Sequence, residues 1–170
     1  NYHTAVNVAG THGKTTTSSM LTWILEDNGK NPGFLIGGIP ENFGISARST
    51  DSESFVIEAD EYDCAFFDKR SKFVHYHPTV LIMNNLEYDH ADIFDSVKDI
   101  QKQFHHLVRT VPGKGLVVMP NNDKNLDGVI EMGCWTPVVR IGDENDLNAV
   151  LKSKDGSSFD IYEGKEFICT

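Results

Sequence analysis

Gly10-Thr11-His12-Gly13-Lys14-Thr15-Thr16 follows a short apolar run, Ala5–Ala9, and leads into a helical stripe, Thr16–Asn28, that stops at Gly29. A strand, a glycine loop and a helix in that order leave few folds open. The helix has to return over the strand to bury its apolar face, right-handed crossovers are strongly favoured, and repetition of the unit builds a parallel sheet. The loop also carries chemistry. Its glycines let backbone N–H groups crowd around phosphate oxygens, Lys14 reaches β- and γ-phosphates, the Thr15 hydroxyl can ligate Mg2+, and the helix N-terminus adds the positive end of its dipole. The spacing departs from G-x-x-x-x-G-K-[ST]: Val8 stands where the first glycine would be, and Gly10 lies only three residues before Gly13. A glycine turn that happens to hold a lysine is the plainer alternative. Gly-Lys-Thr at the strand-to-helix junction argues for the phosphate loop.

The rest of the chain repeats the alternation. Phe34–Ile36, Ser54–Ile57, Thr79–Met83, Gly115–Met119 and Val138–Ile141 read as strands. The first helix offers Met20, Leu21, Ile24 and Leu25 as its buried face. A second opens at Ser96-x-x-Asp99 as a capping box, buries Val97, Ile100, Phe104, Leu107 and Val111, and closes at Pro112-Gly113; a short third lies near Asn125–Met132. The expectation is a doubly wound, mainly parallel α/β sheet of the P-loop NTPase type. Past Gly142 the pattern changes to Leu147–Ser153, a turn at Lys154-Asp155-Gly156 and Phe159–Tyr162, an antiparallel hairpin toward the C-terminus.

Each apolar strand ends in polar chemistry. Ser54–Ile57 runs into Glu58-Ala59-Asp60-Glu61-Tyr62-Asp63, and an acid at the carboxyl end of a parallel strand is placed to hold a metal beside phosphates. Glu58 is nearest the strand; Asp60 and Glu61 stay open as alternatives. Thr79–Met83 runs into Asn84-Asn85-Leu86-Glu87-Tyr88-Asp89-His90, so three strands deliver a lysine loop, a carboxylate and an Asn/Asp/His group to one edge. The other histidines are less telling. His75 and His77 flank Tyr76 at strand spacing and His105-His106 lie late on the second helix, without the H-E-x-x-H or Cys/His spacing of a zinc site. Asp68-Lys69-Arg70-Ser71-Lys72 concentrates positive charge, as a solvated loop or as a contact for an anionic substrate.

Composition removes several classes. At 170 residues, with 39% apolar and 10% aromatic content, the chain can bury a core without staples. Fifteen basic against 25 acidic residues give a formal charge of −10, which disfavours a nucleic-acid partner. No apolar run approaches the roughly 18 residues of a membrane helix. Cys64, Cys134 and Cys169 are odd in number and far apart, which suits a reducing cytoplasm better than a disulfide framework. The start at Asn1-Tyr2-His3, neither a methionine nor a signal peptide, gives the expectation of a piece cut from a longer chain.

Gly10–Thr17 (Gly-Thr-His-Gly-Lys-Thr-Thr-Thr), Glu58–Asp63 (Glu-Ala-Asp-Glu-x-Asp) and Asn85–His90 (Asn-x-x-x-Asp-His), in this order, resemble the central ATPase domain of the Mur ligases. Residues 65–76 and 101–107 are similar to the branch of that family that acts in peptidoglycan recycling. The resemblance spans nearly the whole chain and fades after about Gly142. It implies that residues 1–170 are a central ATP-binding domain without the family's N-terminal UDP-binding and C-terminal domains. The family's reaction transfers the γ-phosphoryl of ATP to the carboxylate of UDP-N-acetylmuramate; an amine then attacks the acyl phosphate. In the recycling branch that amine belongs to the murein tripeptide L-Ala-γ-D-Glu-meso-diaminopimelate.

By the same resemblance, Gly10, Thr11, His12, Gly13, Lys14, Thr15, Thr16 and Asn85 hold the nucleotide. Lys14, Glu58 and His90 act in catalysis, with Thr15 and Glu58 on one Mg2+ and His90 on a second. Some members carry a carbamylated lysine about fifteen residues after that histidine; Lys102 is near but is not assigned. Two alternatives stand beside this reading: a UDP-N-acetylmuramate–L-alanine ligase, and a regulatory module that binds ATP without chemistry. No sequence signal sets an oligomeric state.

Overall fold

The computed structural model describes residues 4–65, 68–89, 94–144 and 146–170. In chain order the elements are β1 Thr4–Ala9, α1 Lys14–Asp27, β2 Gly33–Leu35, β3 Ala47–Arg48, β4 Ser54–Glu58, β5 Asp63–Ala65, β6 Asp68–Ser71, a 3-10 helix Lys72–His75, β7 Val80–Met83, α2 Val97–Val108, β8 Leu116–Pro120, α3 Lys124–Glu131, β9 Val138–Ile141, β10 Leu147–Leu151, β11 Phe159–Glu163 and β12 Glu166–Cys169. Ten of the strands form one sheet in the order β12-β11-β10-β9-β8-β7-β1-β4-β2-β3. From β2 through β4, β1, β7 and β8 to β9 every pairing is parallel.

The expected doubly wound sheet is therefore present. The C-terminal hairpin is also there, β10 against β11, and β12 extends it to three antiparallel strands. The chain leaves β1 in one direction through β4 and β2 and in the other through β7, β8 and β9, so its order reverses at β1. A crevice opens at such a reversal, outside the carboxyl ends of the strands. The neighbours β4, β1 and β7 bring the ends of all three motif-bearing strands side by side.

Two apolar layers hold the sheet. Leu81 and Met83 of β7 and Val117 and Met119 of β8 face α2 and α3, packing with Phe104, Leu107, Leu126 and Val129. Phe73 from the 3-10 helix joins them, edge-on to Phe104 with ring centroids 5.6 Å apart, a geometry that adds about 0.5–1.5 kcal/mol to the burial itself. On the opposite face, Phe34, Ile36 and Val56 pack under α1 with Leu21, Leu25 and Phe43. Arg48 of β3 stacks on Phe34 and Phe43 and forks onto Glu26 near the end of α1, tying that helix to the sheet edge. No helix among the described residues is long and apolar enough to cross a membrane.

Four local expectations fail for identifiable reasons. Met20 and Ile24 are 60% and 54% exposed, and the fully buried residues of α1 are Ser18 and Thr22. Small hydroxyl side chains let the helix lie close to the sheet, and the Thr22 hydroxyl is satisfied by the Ser18 carbonyl at 2.7 Å. At the start of α2 the Ser96 hydroxyl donates to the Asp99 carboxylate at 2.7 Å instead of capping a backbone N–H, so the reciprocal capping box does not form. His75 lies on the 3-10 helix and His77 has φ 44°, so the two do not share a strand. Burial of Phe73 overrides alternation there. The basic run is not a loop either: its first four residues are β6, paired antiparallel with β5, and Lys72 begins the 3-10 helix.

Candidate active site

The glycine loop takes its shape from two backbone conformations open to few other residues. Gly10 has φ +146° and Gly13 φ +77°, and a Cβ at Gly10 would come within 3.0 Å of Asn84 Cβ and 3.2 Å of the Asn85 carbonyl oxygen. Gly13 is the N-cap of α1, so Lys14, Thr15 and Thr16 begin the helix with backbone N–H groups that have no intrahelical acceptor. Thr11 is buried at the base of the loop and His12 is exposed.

The stretch after β7 grips this loop. The His12 N–H donates to Asn85 Oδ1 at 2.8 Å, Asn85 Nδ2 donates to the His12 carbonyl at 3.2 Å, and the Thr11 N–H donates to the Asn85 carbonyl at 3.2 Å. The Glu87 N–H donates to the Thr11 hydroxyl at 2.9 Å, and Asn84 Nδ2 to the Thr17 hydroxyl at 2.9 Å. Asn85 thus serves the loop backbone rather than facing it across a cleft. Asn84, named in the same stretch of sequence but given no role there, shares that work from the adjacent position.

The stretch after β4 supplies charge. Thr15 Oγ1 donates to Glu58 Oε1 at 2.8 Å, and the Gly37 N–H, from the turn after β2, donates to Glu58 Oε2 at 2.7 Å. Lys14 Nζ donates to the Gly10 carbonyl at 2.7 Å and pairs with Glu61 Oε2 at 3.1 Å. Asp60 is turned away, toward Lys72 at 3.5 Å, and both are partly exposed. This separates the three acids: Glu58 meets the Thr15 hydroxyl, Glu61 meets the lysine, and Asp60 does neither. The loop residues Thr11–Thr16 and Glu58 line an open cleft of about 320 Å³. Glu58 also borders a second cavity, of about 180 Å³, lined by Leu35, Ile36, Gly37, Asp60, Lys72 and Tyr76.

Of the catalytic trio, Lys14 and Glu58 flank one cleft, while His90 lies outside the described residues. The donor set suits a hard divalent cation, since a threonine hydroxyl and a carboxylate converge to hydrogen-bond distance at the mouth of the glycine loop. Two supporting residues were missed in the sequence. Gly37 carries only a weak signal, a glycine pair just past a strand. Asp123 caps α3 by accepting from the Asn125 and Leu126 N–H groups at 2.9 and 3.0 Å, and with its other oxygen it accepts from the Leu86 N–H at 2.8 Å. Its signal was an aspartate just ahead of a helical run.

The profile of the Mur ligase middle domain matches residues 8–170. The chain belongs to the Mur ligase family. Over 154 residues this Mur ligase domain is 60% identical to the UDP-N-acetylmuramate–L-alanyl-gamma-D-glutamyl-meso-2,6-diaminoheptandioate ligase of Escherichia coli (strain K12), which covers 91% of the chain and 34% of the relative. The crystal structure of the corresponding meso-diaminopimelate ligase from Neisseria meningitides superposes with a TM-score of 0.89 at 54% identity, covering 98% of this chain and 54% of that one. The UDP-N-acetylmuramate–L-alanine ligase of Caldanaerobacter subterraneus is 34% identical over 172 residues, 98% of this chain and 36% of that relative. The chain spans about a third of the length of the curated relatives it matches.

Proposed function

We propose that this chain is the nucleotide-binding middle part of an ATP-dependent ligase that joins UDP-N-acetylmuramate to the tripeptide L-Ala-γ-D-Glu-meso-diaminopimelate, as in peptidoglycan recycling. The observation that carries the chemistry is the pairing of Thr15 with Glu58 at 2.8 Å, at the edge of the cleft that Lys14 also lines. The choice of substrates rests on 60% identity to the tripeptide-using relative against 34% to the alanine-adding one.

The chemistry is phosphoryl transfer followed by acyl transfer. A carboxylate oxygen of the muramate attacks the γ-phosphorus, the bond to the β,γ-bridging oxygen breaks, and ADP leaves. The peptide amine then attacks the acyl carbon, phosphate departs with its C–O bond electrons, and the amine loses a proton to give the amide. Lys14 and the first-turn N–H groups of α1 stabilise charge that builds on the β- and γ-phosphate oxygens. Thr15 and Glu58 would hold Mg2+, whose role is to neutralise phosphate charge and fix the transferring group. His90 enters from the sequence alone, as the group for a second cation on the carboxylate side. Asn84 and Asn85 keep the loop in its phosphate-accepting shape.

The test is an assay of the complete protein with ATP, UDP-N-acetylmuramate and either amine. UDP-N-acetylmuramoyl-tripeptide, ADP and phosphate should form in equal amounts, with kcat/KM far higher for the tripeptide than for free L-alanine. A preference for L-alanine would assign the chain to the alanine-adding enzymes, and nucleotide binding with no acyl phosphate formed would make it a regulatory module. The 170-residue chain alone should not turn over, because the reaction needs ATP, carboxylate and amine held together in one water-excluded site.

A further inference from the structure

Lys14 is held by the protein itself. Its ammonium donates to the Gly10 carbonyl at 2.7 Å, lies 3.4 Å from the Thr11 carbonyl, and meets the Glu61 carboxylate at 3.1 Å and 3.3 Å. An ammonium has three N–H donors, and all three are directed at protein oxygens. Lys14 is 13% exposed and Glu61 only 3%, so this is a largely desolvated ion pair rather than a surface one. Glu61 is also firmly placed. On one side the Ala59 N–H donates to the Val8 carbonyl of β1 at 2.8 Å, and on the other the Lys72 N–H donates to the Tyr62 carbonyl at 2.9 Å.

We propose that Glu61 is a positioning residue that acts through Lys14 as an internal stand-in for a nucleotide phosphate, holding the ammonium over the loop until a phosphate takes it over. This rests on the reading of the loop as a nucleotide site. A long lysine left free on its stem would have its rotamers to lose when nucleotide arrives, and a desolvated ammonium without a counter-ion would be costly. Glu61 removes both costs in the nucleotide-free protein. The consequence is competition, since the carboxylate offers Lys14 the same charge-assisted contact that a phosphate oxygen offers. Glu61 therefore weakens ground-state binding while keeping Lys14 ordered.

A purely structural role for Glu61 predicts the opposite sign, and calorimetric titration of the complete protein with ADP and with inorganic triphosphate distinguishes the two. Glu61→Gln keeps an oxygen for the Lys14 contact but loses the charge. It should bind both probes more tightly, by on the order of tenfold, and the gain should vanish when Lys14→Met is added. Unchanged or weaker binding by folded Glu61→Gln overturns the proposal, and so does an equal gain in the Lys14→Met background. Should Glu61→Gln not fold, the ADP complex of the unsubstituted protein decides. Lys14 should then have left Glu61 for a phosphate oxygen, and a Lys14–Glu61 contact that survives at hydrogen-bond distance overturns the proposal. If the unsubstituted protein binds neither probe, the nucleotide reading of the loop fails and Glu61's role with it; binding without the gain rejects Glu61's role alone.

Discussion

Asn85 takes hold of His12 from both sides: its side-chain oxygen accepts the His12 N–H at 2.8 Å, and its side-chain nitrogen donates to the His12 carbonyl at 3.2 Å. The two residues are 73 positions apart in sequence. One amide side chain just past β7 thereby fixes the two peptide units that flank His12 in the glycine loop after β1. An asparagine does this where an aspartate cannot, because both a donor and an acceptor are needed.

Asn85→Ala should therefore loosen the loop without dismantling the fold. The expected loss is about 1–2 kcal/mol of stability for two hydrogen bonds at a partly exposed site, together with weaker ADP binding. Asn85→Asp should be no better, since it puts a carboxylate against the His12 carbonyl. Urea unfolding and an ADP titration measure the two effects separately, and an Asn85→Ala protein with normal ADP affinity would remove the loop-holding role.

Lys14→Ala should reduce phosphoryl transfer in the complete protein by several orders of magnitude, roughly the 10²–10³ of a lost oxyanion donor or more, because its charge acts mainly as the transition state develops. Rapid-quench measurement of acyl phosphate formation isolates that step. A nearly normal rate would take Lys14 out of the mechanism.

The two oxygens of Glu58 face the Thr15 hydroxyl and the Gly37 N–H, so the carboxylate is aimed before it carries a cation. Glu58→Gln should raise the Mg2+ concentration needed for half-maximal activity and lower kcat by about 10². Gly37→Ala should do the same more mildly, because its Cβ would lie 3.3 Å from the Glu58 carboxylate and push it aside. Activity against Mg2+ concentration reads both, and an unchanged Mg2+ requirement in Glu58→Gln would exclude it as a ligand.

Lys72 borders the 180 Å³ cavity beside Glu58 and is only loosely paired with Asp60 at 3.5 Å. An exposed pair of this kind contributes about 0–1 kcal/mol, so Lys72 can exchange Asp60 for a substrate carboxylate. Lys72→Ala should raise the KM for the tripeptide about three- to tenfold with a smaller change in kcat. Arg70 is exposed on β6; if removing the charges of Lys69 and Arg70 leaves the tripeptide preference intact, that run is only a solvated edge.

In the β10–β11 turn the Ser153 and Ser157 hydroxyls, with the Ser157 N–H, pull the Asp155 carboxyl down to about 2 from its ordinary 3.8. A pKa lowered by folding stabilises the turn above about pH 4, and that stabilisation is lost as the pH falls through about 2. Carboxyl-carbon NMR should show the low midpoint, and Ser153→Ala should move it upward. A midpoint near 3.8 in the unsubstituted protein would mean that the turn does not hold the anion.

The sequence by itself determined the local elements. Period-two and period-3.6 patterns, and the turn chemistry of Gly10, Gly13 and Gly29, depend on residues close together in the chain. The parallel strands, α2, α3 and the glycine loop between β1 and α1 were therefore legible, and so was the meeting of Lys14 and Glu58 at one strand edge. Tertiary structure decided what depends on distant partners. Which acid serves which role was not written locally: Glu58, Asp60 and Glu61 look alike in sequence, and only the fold sends them to Thr15, Lys72 and Lys14. The buried face of α1 was settled the same way. Its large residues Met20 and Ile24 looked like the core, but the close approach of helix to sheet selected the small Ser18 and Thr22, because available volume at a packed interface is set by both surfaces and a helix specifies only one of them.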